Sequence, residues 1–584
     1  MYHNGVNFVG KLLVYLKKYR KECIIGPIFK FLEACFELLL PTIMATIINE
    51  GVDQKDANYV LQKGGLMILM AVFGYGCALV CQYLAAHASQ GFGTDLRNAV
   101  FERILSYSFK QSDKFGAPTL TNRITNDINQ LQVFVAMMIR LMIRAPFICI
   151  GSIIMAFFLD WHLALILLAA TPVLAAIIWF ITSKTAPLYR SYQKKLDSLG
   201  SVLRETLSGI RVIRAFSKTE QQTGRFRASN DDLTENGLAI ARISSLFNPM
   251  TSMAVNLVII VLLWQGNIRI QFGNLSQGQI IAFINYANQI LLALLVVSNL
   301  ILIITKSMAS AARINEILDT LPDMQSPAVE PSENPDAPAI EFRNVSFGYH
   351  KTGEHALENI NLTIRRGETI GIIGGTGSGK STFVSLIPRF YDVTSGTVLV
   401  NGVPVEQYPL EKLRAKIGMV PQHALLFTGT VAENISWGYP NASREAVEKA
   451  ARIAQASEFI EKLPEGYDSK VERGGANFSG GQRQRLTIAR ALVSDPEILI
   501  LDDASSALDF LTDANLRRAI RENSRTQTVL LVSQRIGIVR DADRILVFDD
   551  GEIVGIGTHR ELMQNCETYR EICLSQMTDE EAMK

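Results

Sequence analysis

Hydrophobic and polar positions divide the chain near residue 306. Before it, long apolar runs alternate with polar segments that keep a helical period. After it come short apolar runs of strand and helix length. Leu66–Ala86, Leu163–Ser183 and Ile243–Ile268 contain no charged residue, and each is long enough as a helix to cross about 30 Å of hydrocarbon. With Ile24–Ile48, a run ending near Asp160 and another over about Ile280–Thr305, they predict six membrane spans. Several spans run on past the bilayer. The second continues through Gly93–Ser108 with charges on one face, breaks near Gly116-Ala117-Pro118, and resumes through Asn122–Val135 into the third. The fourth reaches a turn around Ser208–Lys218, and the chain climbs again after Gly224–Asn236. Gly51–Gly65 reads as a polar loop, and Gln265–Gly278 as the turn between the fifth and sixth spans. Pro322, Pro327, Pro331, Pro335 and Pro338 then mark a linker. The pattern therefore predicts an α-helical membrane domain over residues 1–320, a linker over 321–338 and an α/β domain over 339–584.

Composition agrees with a membrane protein: 48% of residues are apolar, and mean hydropathy is +0.17. Lys and Arg gather in the N-terminal stretch, in Arg97–Arg123 and in Lys184–Arg242, whereas the outer turns hold few. That asymmetry places both termini and the α/β domain in the cytoplasm of a multi-pass cell-membrane protein. Phe8–Arg20 is short, basic and amphipathic, which suits the inner membrane surface rather than a signal peptide. A net charge of +1 without a basic block gives no reason to expect a nucleic-acid partner. The seven cysteines are an odd number, and Cys35, Cys77, Cys81 and Cys149 lie in or beside spans. They read as small buried hydrophobes rather than a disulfide framework.

The chemistry lies in the second domain. Gly374-Gly375-Thr376-Gly377-Ser378-Gly379-Lys380-Ser381 sits between an apolar run and the helix-like Thr382–Phe390. Glycines at this spacing let successive backbone N–H groups curl round a phosphate chain, toward which the following helix points its positive end. In such a P-loop, Lys380 reaches the β- and γ-phosphates and the Ser381 hydroxyl ligates Mg²⁺. Ile498-Leu499-Ile500-Leu501 reads as a buried strand delivering Asp502 and Asp503 to the sheet edge where ligands bind. Asp502 would hold Mg²⁺, and the next acid would position or deprotonate the attacking water. Asn477-Phe478-Ser479-Gly480-Gly481-Gln482 precedes a basic helix, Arg483–Leu492.

The last of these elements resembles the signature of ATP-binding cassette (ABC) proteins, and the order P-loop, Gln422, signature, Asp502 is that family's order. The resemblance covers nearly the whole chain. It implies ATP and Mg²⁺ as cofactors, held by Gly374 to Thr382, with Tyr349 stacking on adenine and Ser381, Gln422 and Asp502 as metal ligands. It implies that two cassettes meet head to tail, so Ser479, Gly480, Gly481 and Gln482 face the γ-phosphate bound by a second half-transporter. Glu472-Arg473-Gly474 resembles the exporter-specific loop, and Ser506-Ala507-Leu508-Asp509 the loop that crosses to the partner. The six spans resemble an exporter's, with coupling turns near Ser112–Gly116 and Gly209–Ser217.

Two departures stand out. The family's hydrolysing members have Glu where this chain has Asp503, and His where it has Gln534. Asp is shorter by one methylene, about 1.5 Å, and misplacement near 1 Å can cost about 10²-fold in rate. Gln534 can hydrogen-bond a phosphate oxygen but cannot carry a histidine's charge or proton. An intact signature beside these changes resembles the degenerate-site subunit of heterodimeric bacterial multidrug exporters, which works with a different partner chain. The expected activity is ATP-driven export of hydrophobic or amphipathic small molecules or peptides out of a lipid membrane, with hydrolysis mainly at the partner's site. A slow homodimeric exporter and an ATP-gated channel or regulatory membrane protein are the alternatives. Counting along the spans at 1.5 Å per residue puts Arg144 roughly 24 Å and Arg140 roughly 30 Å below the outer surface on one helix face, with Glu37 and Glu33 at similar levels. These four, with Asn285, Asn288 and Gln289, are candidates for lining an inward-facing cavity, against the plainer roles of interface snorkelling or a structural salt bridge.

Overall fold

A computed structural model describes residues 11–577 except 325, 330, 350–354 and 524–525. Phe8–Gly10 of the basic N-terminal stretch and the last residues of the second domain lie outside the described residues. The chain divides into two compact units, Met1–Leu105 with Gly116–Leu321 and Ser106–Phe115 with Pro322–Lys584.

The first unit contains six helices long and apolar enough to cross a membrane: Leu13–Val52, Ala57–Leu105, Ala117–Leu159, Trp161–Ser208, Thr219–Gln271 and Gln277–Asp319. They are longer than their apolar cores suggest, because polar residues fall at helical spacing rather than in loops. Most of Gly51–Gly65 is helical. A π-helical turn over Ile47–Val52 ends the first helix, and Asp56 accepts from the Asn58 and Tyr59 amides at 3.0 and 3.1 Å to open the second. Helix likewise occupies Gly224–Asn236, and the outer turn within Gln265–Gly278 shrinks to Phe272–Ser276. Side chains set the sharp starts. Asp160 accepts from the His162 and Leu163 amides at 2.9 and 3.0 Å, and Ser276 with Gln279 forms a reciprocal cap. The core of this unit packs Leu38, Leu163, Leu167, Leu262, Phe283 and Tyr286. Tyr286 buries its hydroxyl by donating to the Leu38 carbonyl at 2.8 Å.

The third span departs from expectation. It is not one helix through Arg140 and Arg144 but two segments, Ile128–Leu141 and Arg144–Leu159. Pro146 explains the break. It has no amide to give the Met142 carbonyl four residues back, and its ring crowds that carbonyl. The two arginines therefore flank an interruption of the hydrogen-bond ladder, across which Met142 and Ile143 keep helical dihedrals.

In the second unit a six-stranded sheet runs in the order Glu552–Gly557, Arg544–Asp549, Thr369–Gly374, Thr528–Val532, Ile498–Asp502, Ile417–Val420. All neighbours are parallel except the first pair. The central strands are buried on both faces, hence their near-continuous Ile, Leu and Val. An antiparallel sheet with Ile340–Phe347 and Leu357–Ile364 at one end packs Phe342 against Phe383. The proline-rich linker is tied down where described. Glu333 pairs with Lys416 at 3.0 Å and accepts from Asn401 at 3.1 Å, and Ser326 accepts from the Leu410 amide at 3.0 Å.

Candidate nucleotide and transport sites

Three central strands end at one edge, and parallel pairing fixes what meets there. Val532 is in register with Asp502, and the Asp503 amide donates to the Val532 carbonyl at 2.9 Å. This brings Asp502, Asp503 and Gln534 beside the loop that leaves Thr369–Gly374. Together with Thr376, Gly377, Gly379 to Thr382, Gln422 and Ser533 they line a cavity of about 220 Å³. Gly379 is required locally. Its φ of +95° starts the following helix, and a Cβ there would lie 2.7 Å from the Ala356 carbonyl oxygen.

Lys380 is buried and donates to the Gly374 carbonyl at 3.0 Å and to Ser378 Oγ at 3.2 Å. Burial lowers its pKa, opposed by the carboxylates of Asp502 and Asp503. Burial likewise raises the pKa of both aspartates. Each of these groups thus bears a desolvation cost that an opposite charge in the cavity would relieve. The Ser381 hydroxyl donates to Asp502 Oδ1 at 3.0 Å, and Gln422 Nε2 approaches Asp503 Oδ2 at 3.5 Å. Ser381, Asp502 and Gln422 offer hard oxygen donors suited to Mg²⁺. Among the described residues no cluster of three or more His, Cys, Asp or Glu could hold a metal, so a metal here would draw its remaining ligands from phosphate and water. Asp503 has φ of +47°, a left-handed backbone that Asp tolerates better than longer side chains.

Tyr349 is 43% exposed, with its hydroxyl 3.0 Å from Thr382 Oγ1 and its ring edge-on to Phe347 and Tyr391. Its place is at the surface rather than in the core. Base–aromatic stacking contributes about 1–3 kcal/mol, so Tyr349→Ala is expected to weaken ATP binding about tenfold while Tyr349→Phe holds it near the parent value. Equilibrium titration with a fluorescent ATP analogue measures both.

Ser479–Gln482 do not line the cavity. Ser479 caps the helix Gly480–Leu492, its hydroxyl accepting from the Gln482 amide at 3.3 Å while Gln482 Oε1 accepts from the Ser479 amide at 2.8 Å. Gly481 packs on the loop after Asp503, where a Cβ would come within 3.0 Å of the Ala507 carbonyl oxygen.

The chain matches the family model for the ABC transporter transmembrane region over residues 23–294 and that for the ABC transporter over residues 357–506. It is 38% identical to an uncharacterised ABC transporter ATP-binding protein of Mycobacterium tuberculosis over 571 residues, covering 96% of this chain and 97% of the other. The chain belongs to the ABC transporter family. The Bacillus subtilis ABC transporter ATP-binding protein YfiB is also 38% identical, over 97% of this chain and 98% of its own. An ATP-dependent lipid A-core flippase of Chromohalobacter salexigens is 32% identical, over 96% of each chain. The fold is that of a bacterial Atm1-family ABC exporter solved with ATP bound, with TM-score 0.78 and 23% identity over 96% of this chain and 99% of that one. The protein is accordingly an ABC half-transporter, with membrane and ATP-binding domains in one polypeptide.

Two features of this ABC half-transporter were only partly legible or not legible. Ser106–Phe115, which overlaps the coupling turn expected near Ser112–Gly116 and is expected in the first domain, groups with the second unit. Its short helix Phe109–Phe115 stacks Phe109 on Phe390 at 4.3 Å, and Tyr391 donates to Asp113 at 2.8 Å. Burial and then Asp113 push the Tyr391 pKa up. The second omission is Lys30. In the membrane unit it pairs with Glu33 at 2.6 Å, while Arg144 pairs with Glu37 at 2.7 Å and stands 3.8 Å from Glu33. Gln289 joins this group through the Glu37 carbonyl at 3.4 Å and Ser152 at 3.2 Å. Asn285 and Asn288 are exposed and donate to their own helix, at 3.0 and 3.1 Å.

Proposed function

We propose that this chain is the degenerate-site subunit of a heterodimeric bacterial exporter that moves hydrophobic or amphipathic compounds outward. In this reading both termini are cytoplasmic. The observation that carries it is the pair Asp503 and Gln534, which stand beside Lys380 and Ser381 where the family's hydrolysing members have Glu and His. The P-loop keeps every group needed to hold ATP, with Mg²⁺ on Ser381, Gln422 and Asp502. Asp503 is short of reach for a water at the γ-phosphate, and Gln534 supplies neither charge nor proton. ATP held here favours the closed cassette pair, and hydrolysis proceeds where the partner's P-loop meets Ser479–Gln482 of this chain. Gln422 Nε2 approaches Asp503 Oδ2 at 3.5 Å and the residue is exposed, and in this reading it reports nucleotide to the membrane domain.

The test is to co-express the chain with a second half-transporter from its own genome that has Glu and His at the positions of Asp503 and Gln534, and to compare ATPase rates. The pair is expected to hydrolyse ATP and the chain alone to hydrolyse little. Asp503→Glu should raise the rate of the pair, by less than the full loss of reach implies, because Glu at a left-handed backbone costs about 1 kcal/mol. Rapid drug-stimulated turnover and transport by this chain purified alone would make it a homodimeric exporter instead.

A further inference from the structure

The charged cluster in the membrane unit has a surplus. Lys30, Arg140 and Arg144 bring three positive charges, whereas Glu33 and Glu37 bring two negative ones. Both carboxylates are taken, Glu33 by Lys30 and Glu37 by Arg144. Arg140 is left without an ion pair or hydrogen bond to any described residue, and its Nε–H is buried. Arg144 Nε–H is buried and unpaired as well, since Glu33 at 3.8 Å is beyond hydrogen-bond reach.

Position makes the surplus consequential. Arg140 follows Ile139 and stands four residues before Arg144 on the third span, and Lys30 stands four residues after Gly26 on the first. The first span approaches closely there, a Cβ on Gly26 coming within 2.8 Å of Ile139. Lys30 is only 8% exposed, but Arg144 and Glu37 keep 25% and 34% of their side chains accessible, so the cluster is open on one side. Phe31 and Phe147, whose tilted rings meet with centroids 4.3 Å apart, supply an apolar wall on the same two spans. A cation entering would raise the charge from +1 to +2. An oxyanion would cancel it and accept from guanidinium donors that otherwise go unmet.

We propose that Arg140 and Arg144, at the Pro146 break of the third span, bind the phosphate or carboxylate headgroup of an anionic amphiphile whose tail lies against the apolar wall. The site deepens the export reading when the amphiphile is cargo, and it stands apart from that reading when the amphiphile is a resident lipid.

The experiment uses the full chain in nanodiscs of zwitterionic phosphatidylcholine, titrated with dodecyl phosphate and with dodecyltrimethylammonium, empty nanodiscs correcting for partition. Dodecyl phosphate is expected to bind at least about tenfold more tightly than the cation, and Arg140→Gln to remove about tenfold of its affinity while leaving the cation's unchanged. Arg140→Lys should restore part of it. Glu37→Gln releases Arg144 and should tighten dodecyl phosphate binding, a gain that neither a structural salt bridge nor a folding defect produces. Equal binding of both probes, preference for the cation, or unchanged dodecyl phosphate affinity in Arg140→Gln overturns the proposal. Native mass spectrometry of protein from cell membranes and ATPase assays of the assembled pair separate the sources. A co-purifying phospholipid lost in Arg140→Gln identifies a resident lipid, and ATPase stimulation by dodecyl phosphate identifies cargo. Stimulation by uncharged compounds without dodecyl phosphate binding overturns the anionic site and leaves the export reading standing.

Discussion

Gly481→Val is expected to cut ATP hydrolysis by the assembled transporter at least about 10²-fold, while Asp503→Asn in the same chain changes it by less than about twofold. The contrast follows from where each residue acts. Gly481 lies in the first turn of the helix Gly480–Leu492, whose amides and positive end the resemblance assigns to the partner's phosphate. A Cβ at this position already stands 3.0 Å from the Ala507 carbonyl oxygen, and two further methyls require the helix start and the Ala507 loop to part. The damage therefore reaches both elements that the resemblance assigns to the partner's ATP. Asp503, by contrast, serves in the proposed reading only the site in its own chain, where its short carboxylate would contribute little to turnover.

The measurement is steady-state ATPase of the purified pair at saturating ATP, with nucleotide binding and thermal unfolding recorded for each variant. Gly481→Val should retain ATP binding at Lys380, because the P-loop cavity contains no signature residue. The reverse pattern, Gly481→Val active and Asp503→Asn inactive, would mean that Asp503 is a working base and that this chain's own site turns over. Equal losses from both would fit two equivalent sites, as in a homodimer.

The elements that decide this contrast were readable in the sequence because each depends on local chemistry. A glycine-rich turn after a buried apolar strand has few uses, and paired aspartates at the end of a second such strand must emerge at the same edge. The six spans were readable for a similar reason, since uncharged runs of this length have no other solvent. Tertiary choices were less legible. Polar residues in Gly51–Gly65 and Gly224–Asn236 resemble loop residues, yet most of both stretches is helix that outlasts the apolar core. Pro146 did carry a local signal for the break after Leu141, but the i,i+4 spacing of Arg140 and Arg144 argued for continuity. Nothing local marks Phe109 as a partner of Phe390, or Lys30 as the third cation of the membrane cluster, because both depend on how distant segments meet. The left-handed backbone at Asp503 was equally hidden, although it limits what restoring Glu can recover.

Asp127→Ala is expected to destabilise the membrane unit more than any other single truncation on its polar helical extensions, by about 3 kcal/mol. Asp127 is 3% exposed at the end of the π-helical turn Arg123–Asp127. It accepts from Ser310 Oγ at 2.9 Å and from Arg313 Nε at 2.8 Å, with a further bond from Arg313 Nη2. These bonds tie the third helix to the sixth, whose end at Asp319 leads into the linker. Removing the carboxylate leaves a buried hydroxyl and part of a guanidinium unpaired. The loss stays at the lower end of the range for buried pairs because Arg313 keeps 46% of its side chain accessible and can turn to water. Thermal unfolding in detergent should shift down by about 5–10 °C. Asp127→Asn should recover part of that shift, since an amide oxygen can still accept from Ser310. If Asp127→Ala melts with the parent, the Asp127–Arg313 pair contributes no more than a surface ion pair, and the rigidity of the sixth helix must come from its apolar packing at Ala311, Ile314 and Ile317. A loss of ATPase in Asp127→Ala without a change in melting would instead assign the pair to coupling between membrane helix and cassette.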